Sequence, residues 1–313
     1  MIGRNSKGFS PLVLSFVLFI CFSSNTLFAQ HSFSLDKAAV MGKYQDSLLK
    51  ISDEIAILPT TGDRFSKNAI FIKTLVNALK TPGSFSYPFD SLKRVSIVQS
   101  PDKSFRILSW FVPLDDGTYR FFGTIQMATK DGQLKLFPLL DNTENVTDVA
   151  AIGSNKSWYG ARYYEIIPVF TPGAQPYYVL LGWKGNNPKT TKKVIDVLSF
   201  AKDQPVFGKP VFEGLKGTKS KNRVVFEYNK LNSMTLTLDK TINMIVFDHL
   251  SPFSKEMEGN YEYYASDLSF DAYKIVNGKL KLIENVELKN DPNNMDELYV
   301  DPKDKKTKAI KKL

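Results

Sequence analysis

From Asp36 to Leu58, the apolar residues Val40, Tyr44, Leu48, Ile51, Ile55 and Leu58 recur at spacings of three and four, which gathers them on one helical face. Ser34 or Asp36 can cap that helix. After the breaker Pro59 to Gly62, the spacing returns with Phe65, Ala69, Ile72, Val76 and Leu79, and Thr81-Pro82-Gly83 ends it. The two segments predict an αα-hairpin. Each has one apolar face that must be covered, most simply by the domain that follows.

From Arg94 onward the period is two. Tyr119, Phe121, Ile125 and Met127 alternate with Arg120, Thr124 and Gln126, and Met234, Leu236 and Leu238 alternate with Thr235, Thr237 and Asp239, as half-buried strands do. Phe105 to Val112 is apolar on both parities apart from Arg106 and Ser109, which predicts a central strand. Turn chemistry separates the runs at Pro101-Asp102, Asp115-Asp116-Gly117, Lys130-Asp131-Gly132, Pro172-Gly173 and the hairpin pair Asn277-Gly278. Val194 to Phe200 suits a short helix or a strand; the turn-like Lys202-Asp203 favours the strand. The expected fold is mainly β: an antiparallel meander of about thirteen strands, propeller-like or a sandwich, preceded by the helical hairpin.

A weak internal repeat runs through the strands. FRILSW (Phe105 to Trp110) matches YVLLGW (Tyr178 to Trp183), and MATKDGQLKLFPL from Met127 matches SFAKDQPVFGKPVF from Ser199 at nearly the same offset. A third, divergent unit is expected from Arg223 through His249. Four-stranded units in series are how propeller blades are written, and chance likeness among hairpins is the alternative. SPDKSFRI (Ser100 to Ile107) resembles the SPDG-type turn of the periplasmic TolB-like propeller repeats, with Lys103 where that family prefers Gly. The resemblance covers one copy and implies a propeller. As a whole the chain resembles uncharacterised exported bacterial proteins, a likeness that implies no activity.

Residues 1–29 read as a secretory leader: Arg4 and Lys7, an apolar run from Phe9 to Phe22, then Leu27-Phe28-Ala29 before the expected cleavage. Cys21 is preceded by Ile20, not by the small residue that lipobox processing wants. Cleavage removes the single Cys, so the mature chain has no thiol for disulfides, thiolate zinc or nucleophilic catalysis. A Lys-rich, Cys-free exported chain points to a bacterial envelope compartment, either the periplasm or the outer-membrane and extracellular side. The domains expected are the leader at 1–29, a helical hairpin at 30–90, an all-β domain at 91–290 and a basic tail at 291–313. No transmembrane segment is expected after leader removal.

The formal charge is +9, and losing Arg4 and Lys7 with the leader leaves +7. Residues 301–313 hold six Lys and two Asp, so much of that charge sits in the tail. This is not the aromatic-interleaved basic face that nucleic acid requires, and no nucleic-acid partner is expected.

Candidate chemistry is sparse. The patterns HExxH, GxSxG and Walker A are absent, and the mature chain holds only His31 and His249. His249 is the one usable catalytic histidine, and its neighbour Asp248 faces the other side of the strand, so an orienting acid must come from elsewhere. Glycoside hydrolysis needs two carboxylates about 5–10 Å apart; Glu165, Glu227, Asp196 and Asp248 lie in strand-like runs and are the ones to inspect. Asp141, Thr143, Asn145 and Asp148 alternate oxygen side chains but lack the Gly and terminal Glu of an EF-hand loop. No metal or cofactor is expected.

The segment SWYGARYY concentrates Trp158, Tyr159, Arg162, Tyr163 and Tyr164 around Gly160. Such rings either bind a glycan or an envelope protein or fold back as a lid on the sheet. Trp110 and Trp183 sit in apolar strands and are expected in the core. The leading reading is a non-enzymatic binding or assembly module, with a polysaccharide-active hydrolase as the alternative.

Overall fold

The computed structural model describes residues 36–213 and 220–288. The leader, Cys21, His31 and the basic tail lie outside the described residues. The protein is mainly β, with two N-terminal helices. No helix among the described residues is long and apolar enough to cross a membrane.

Helix α1 (36–57) and helix α2 (Thr61–Leu79) form the expected hairpin. Thr60 caps α2 in both directions: its Oγ1 accepts from the Asp63 amide at 3.1 Å and donates to the Asp63 carboxylate at 2.7 Å. In α1, Leu48 and Ile55 are buried as the spacing requires, but Met41, outside the expected stripe, is buried in place of the exposed Val40. In α2 the buried face is Asn68, Phe71, Leu75, Ala78 and Leu79, rotated from the expected stripe, and Phe65 sits at the rim. The apolar arc of α2 is wide enough for either face, and packing chose the one that carries Phe71.

Among the described residues fifteen strands form three sheets, two more strands than the pattern predicts. Sheet one is the antiparallel meander β1 (Ser96–Gln99), β2 (Phe105–Pro113), β3 (Tyr119–Met127) and β4 (Leu136–Leu140). Sheet two is ordered β5 (Gly153–Ser154), β9 (Gln204–Phe207), β8 (Thr190–Ala201), β7 (Tyr177–Gly185) and β6 (Arg162–Val169), and β11 (Val224–Asn229) also pairs with β8. Sheet three is ordered β10 (Phe212–Glu213), β15 (Lys279–Ile283), β14 (Tyr264–Val276), β13 (Met244–Pro252) and β12 (Leu236–Asp239). Among the described residues the named strands pair antiparallel except β10 with β15, and an isolated parallel bridge joins Asp141 to Trp158. Val194 to Phe200 is strand, within β8.

Side-chain parity stacks these elements in four layers. Leu108, Trp110 and Val112 of β2 pack with Leu48, Phe71, Leu75 and Leu79 of the helices. Phe105 and Ile107 of the same strand face Tyr178, Leu180, Val194 and Leu198 of sheet two. Tyr177, Val179, Leu181, Ile195 and Val197 point the other way, onto Ile245, Phe247, Tyr273 and Leu280 of sheet three. Hence β2, β7 and β8 are apolar on both parities: each lies in a sheet covered on both sides. Among the described residues the sheets close into neither a barrel nor a propeller.

The internal repeat falls on equivalent strands. FRILSW lies in β2 and YVLLGW in β7, and the Lys-Asp matches are the β3–β4 and β8–β9 turns. The third meander is β12 to β15, not Arg223 through His249, because β11 leaves that stretch to extend sheet two. Asn277 and Gly278 both have positive φ (50° and 71°), the left-handed backbone a two-residue hairpin requires. Lys103, in the SPDK turn, has φ 56°, which a glycine adopts more easily. Tyr178 fastens that turn to sheet two by donating its hydroxyl to Asp102 at 2.6 Å.

Candidate functional site

Three of the four SWYGARYY rings are inside the molecule. Trp158 and Tyr163 are fully buried and Tyr159 nearly so, between sheets one and two. The Trp158 indole N–H donates to the Tyr163 hydroxyl at 3.0 Å, which donates to Asp196 at 3.0 Å. Burial and the Asp196 charge push the Tyr163 phenol far above its usual range, and burial lifts Tyr159 to about 12. Tyr164 is partly exposed, and its hydroxyl donates to the Leu236 carbonyl at 2.8 Å, covering the edge strand β12. Trp158, Tyr159 and Tyr163 form a seam between sheets, which removes them as a free contact surface, while the Tyr164 ring lies at the surface over β12.

A second device closes the same end of the core. Lys184 of β7 donates to Thr143 Oγ1 and the Gly160 carbonyl, each at 2.8 Å, beneath the Tyr159 ring at 4.3 Å. Asp141 accepts from the Phe121 amide at 2.8 Å, from the Thr143 amide at 3.0 Å and from the Thr143 hydroxyl. Gly160, with φ 75°, is required here, since a Cβ would stand 2.6 Å from an Asp141 oxygen. Asp141 and Thr143 thus serve to hold the loop. Burial brings the Lys184 ammonium down to about 7.

Each carboxylate singled out above has its own protein partner. Asp196 is fully buried, with an oxygen 2.9 Å from Arg223 Nε in an ion pair whose N–H misses hydrogen-bond alignment. Burial pulls the Arg223 guanidinium down, but Asp196 and Tyr163 outweigh it and hold it above its ordinary value. Glu227 accepts from Asn186 and Thr190 and pairs with Lys192 at 3.1 Å. Glu165 accepts from the Leu238 amide at 3.3 Å, and Asp248 from the Thr235 amide at 2.9 Å. His249 Nδ1 lies 2.8 Å from Asp271 of β14, the orienting acid that had to come from elsewhere. The Asp271 hydrogen bond raises the imidazole above its ordinary value. No cluster of three or more His, Cys, Asp or Glu able to hold a metal occurs among the described residues.

The concave feature of most interest lies on the other side of sheet one. In the register of β1 against β2, Ser96 faces Ser109, so β1 stops short and Trp110 to Pro113 pair only with β3. The notch left beside β2 is a cavity of about 370 Å³. Ser52, Ile55 and Ala56 of α1 roof it; Phe71, Val95, Trp110, Phe111 and Pro113 supply apolar walls; Lys93, Arg94 and Arg162 supply charge. The Trp110 indole is held by donating to Asn68 Oδ1 at 2.9 Å, and its ring meets Phe71 edge-on at 5.2 Å.

The three cations differ in what they already touch. Arg94 Nε donates to Asp53 at 2.9 Å, an exposed pair. Arg162 Nη2 donates to the Lys93 carbonyl at 3.1 Å, while its Nε is buried without an acceptor. Desolvation lowers the Arg162 pKa from its usual value. No carboxylate lines the cavity. Of these residues the sequence pattern singled out only Arg162 for binding. Lys93 and Arg94 carry no local signal, Phe71 lies off the expected helical stripe and Trp110 reads as core, because the notch arises from strand register between distant segments.

The fold and cavity define a four-layered β-rich protein with a small amphipathic pocket. No family model, curated protein or solved structure matches the chain.

Proposed function

We propose that this is an exported bacterial envelope protein that acts as a non-enzymatic binding module, and that its site is the notch beside β2. The leader-like pattern of residues 1–29 supports export. The observation that carries the binding reading is the cavity itself. It holds about 370 Å³ within apolar, aromatic walls that carry a few convergent polar groups. Small-molecule sites are built this way, with volumes of roughly 300–1,000 Å³. Its walls come from three layers, so the fold holds it rigidly, and aromatic walls give contact area at little entropic cost.

A neutral apolar fluorophore, N-phenyl-1-naphthylamine, tests the reading. The expected result is saturable binding at one site, weakened at least about tenfold in Ala56→Trp, where an indole on the exposed face of α1 fills the opening. Far-UV circular dichroism checks that the variant is folded. An absence of saturable binding, or equal binding by a folded Ala56→Trp, contradicts the proposal.

A further inference from the structure

We propose that the notch takes a molecule with an apolar body and a single anionic head, a carboxylate or phosphate monoester, whose head pairs with Arg162. This rests on the binding function proposed above and names the chemistry of its ligand.

Away from the cavity the fold buries two guanidiniums, Arg106 and Arg223. Arg106 has an acceptor on each of its three nitrogens: its Nε donates to Gln126 at 2.8 Å, and its two terminal nitrogens to the Tyr87 and Ser84 carbonyls at 2.6 and 2.9 Å. Arg223 has Asp196 and donates to the Val149 carbonyl at 2.7 Å. Arg162 has one carbonyl, on Nη2, and neither an acid nor a second acceptor among the described residues. A guanidinium offers five N–H donors in a planar fork, and a buried donor left unmet costs about 1–3 kcal/mol, more when charged. Arg223 Nε also lacks an aligned acceptor, but Asp196 cancels its charge; Arg162, with a single acceptor, is the one of the three that lines a cavity.

The surroundings have the same sign. Lys93 and Arg94 share the lining with Arg162, and Asp53 neutralises only Arg94. A cationic ligand is repelled, and a neutral one leaves the charge uncompensated. An anionic head offsets it through charge-assisted hydrogen bonds, which guanidinium makes with carboxylate and phosphate alike. Among the remaining lining residues Ser52 carries a hydroxyl, which donates to the Leu49 carbonyl at 2.8 Å, and Ile55, Phe71, Val95 and Trp110 offer no acceptor side chain, so most of the ligand is apolar. A water occupies about 30 Å³ of liquid, so the 370 Å³ cavity corresponds to about a dozen non-hydrogen atoms.

The test compares decanoate, decyl phosphate and decanamide by isothermal calorimetry, on the wild type and on Arg162→Gln. At least one of the two anions is expected to bind about tenfold or more tighter than the neutral amide, the advantage of a charge-assisted hydrogen bond. That advantage is expected to disappear in Arg162→Gln while amide affinity stays the same. Which anion leads distinguishes carboxylate from phosphate. A salt series on the wild type needs no variant: anion affinity should fall with salt and amide affinity should not. Equal affinity of all three compounds, or an anion advantage that survives Arg162→Gln, overturns the proposal. If none of the three binds while the neutral fluorophore does, the ligand class is wrong and the binding module stands. If the fluorophore also fails, the binding function itself is lost.

Discussion

Asp196→Ala is expected to cost about 3–5 kcal/mol of folding stability, the penalty of leaving a buried charge unpaired. Asp196 is fully buried in β8 and Arg223 is only 3% exposed. The carboxylate takes in three groups: the Arg223 guanidinium, the Tyr163 hydroxyl and the Val197 amide. Without it, Arg223 keeps the Tyr159 ring at 4.8 Å and the Val149 carbonyl, neither of which cancels a full charge. Asp196→Leu combined with Arg223→Met removes both charges and is expected to lose far less than Asp196→Ala, because desolvation is then no longer required. Urea denaturation measures both. A loss below about 1 kcal/mol in Asp196→Ala places the pair outside the core's cohesion.

The second large effect is expected at Trp158. Trp158→Ala should destabilise by about 3–5 kcal/mol, the usual cost of emptying a large aromatic site in a packed interior. The ring is fully buried between sheets one and two, close to Gly123, where an added Cβ would lie 3.5 Å from the indole. Its N–H also supports Tyr163, which supports Asp196, so truncation loosens a chain of hydrogen bonds as well as leaving a void. Trp158→Phe keeps most of the ring and drops the donor, and about 1 kcal/mol is expected from it. A stable Trp158→Ala that loses only a binding activity contradicts the lid and restores the exposed-aromatic reading.

Much of the fold was legible because its signals are local. Period-two runs, Asn277-Gly278 and the double-parity strand Phe105 to Val112 each follow from the residues themselves. Lys202 and Asp203 both take positive φ (49° and 60°) without any glycine, so the turn was readable only from the strands around it. Non-local choices were not legible. The Arg223 to His249 stretch reads as a third, divergent repeat unit, but Glu227 faces Lys192 across the β11–β8 pair, and that pairing removes β11 from sheet three.

The candidate site shows the same division. Four aromatics in eight residues catch the eye in a sequence, yet a ring signals burial as readily as binding, and Tyr163 and Trp158 were claimed by the interior. The cavity depends on β1 beginning only at Ser96, opposite Ser109, four residues before β2 ends. Nothing in Lys93-Arg94 distinguishes it from an ordinary solvated pair until α1 and β6 are laid beside it. Only Arg162 belongs to both the sequence candidates and the cavity.

The central claim, that the notch beside β2 is a ligand site, is tested most directly through tryptophan. The chain has three, Trp110, Trp158 and Trp183, and only Trp110 lines the cavity. In a decanoate titration followed by the indole N–H signals in nitrogen-15 NMR, the Trp110 signal is expected to move saturably while those of Trp158 and Trp183 stay in place. A stationary Trp110 signal, or movement confined to the other two, contradicts the account.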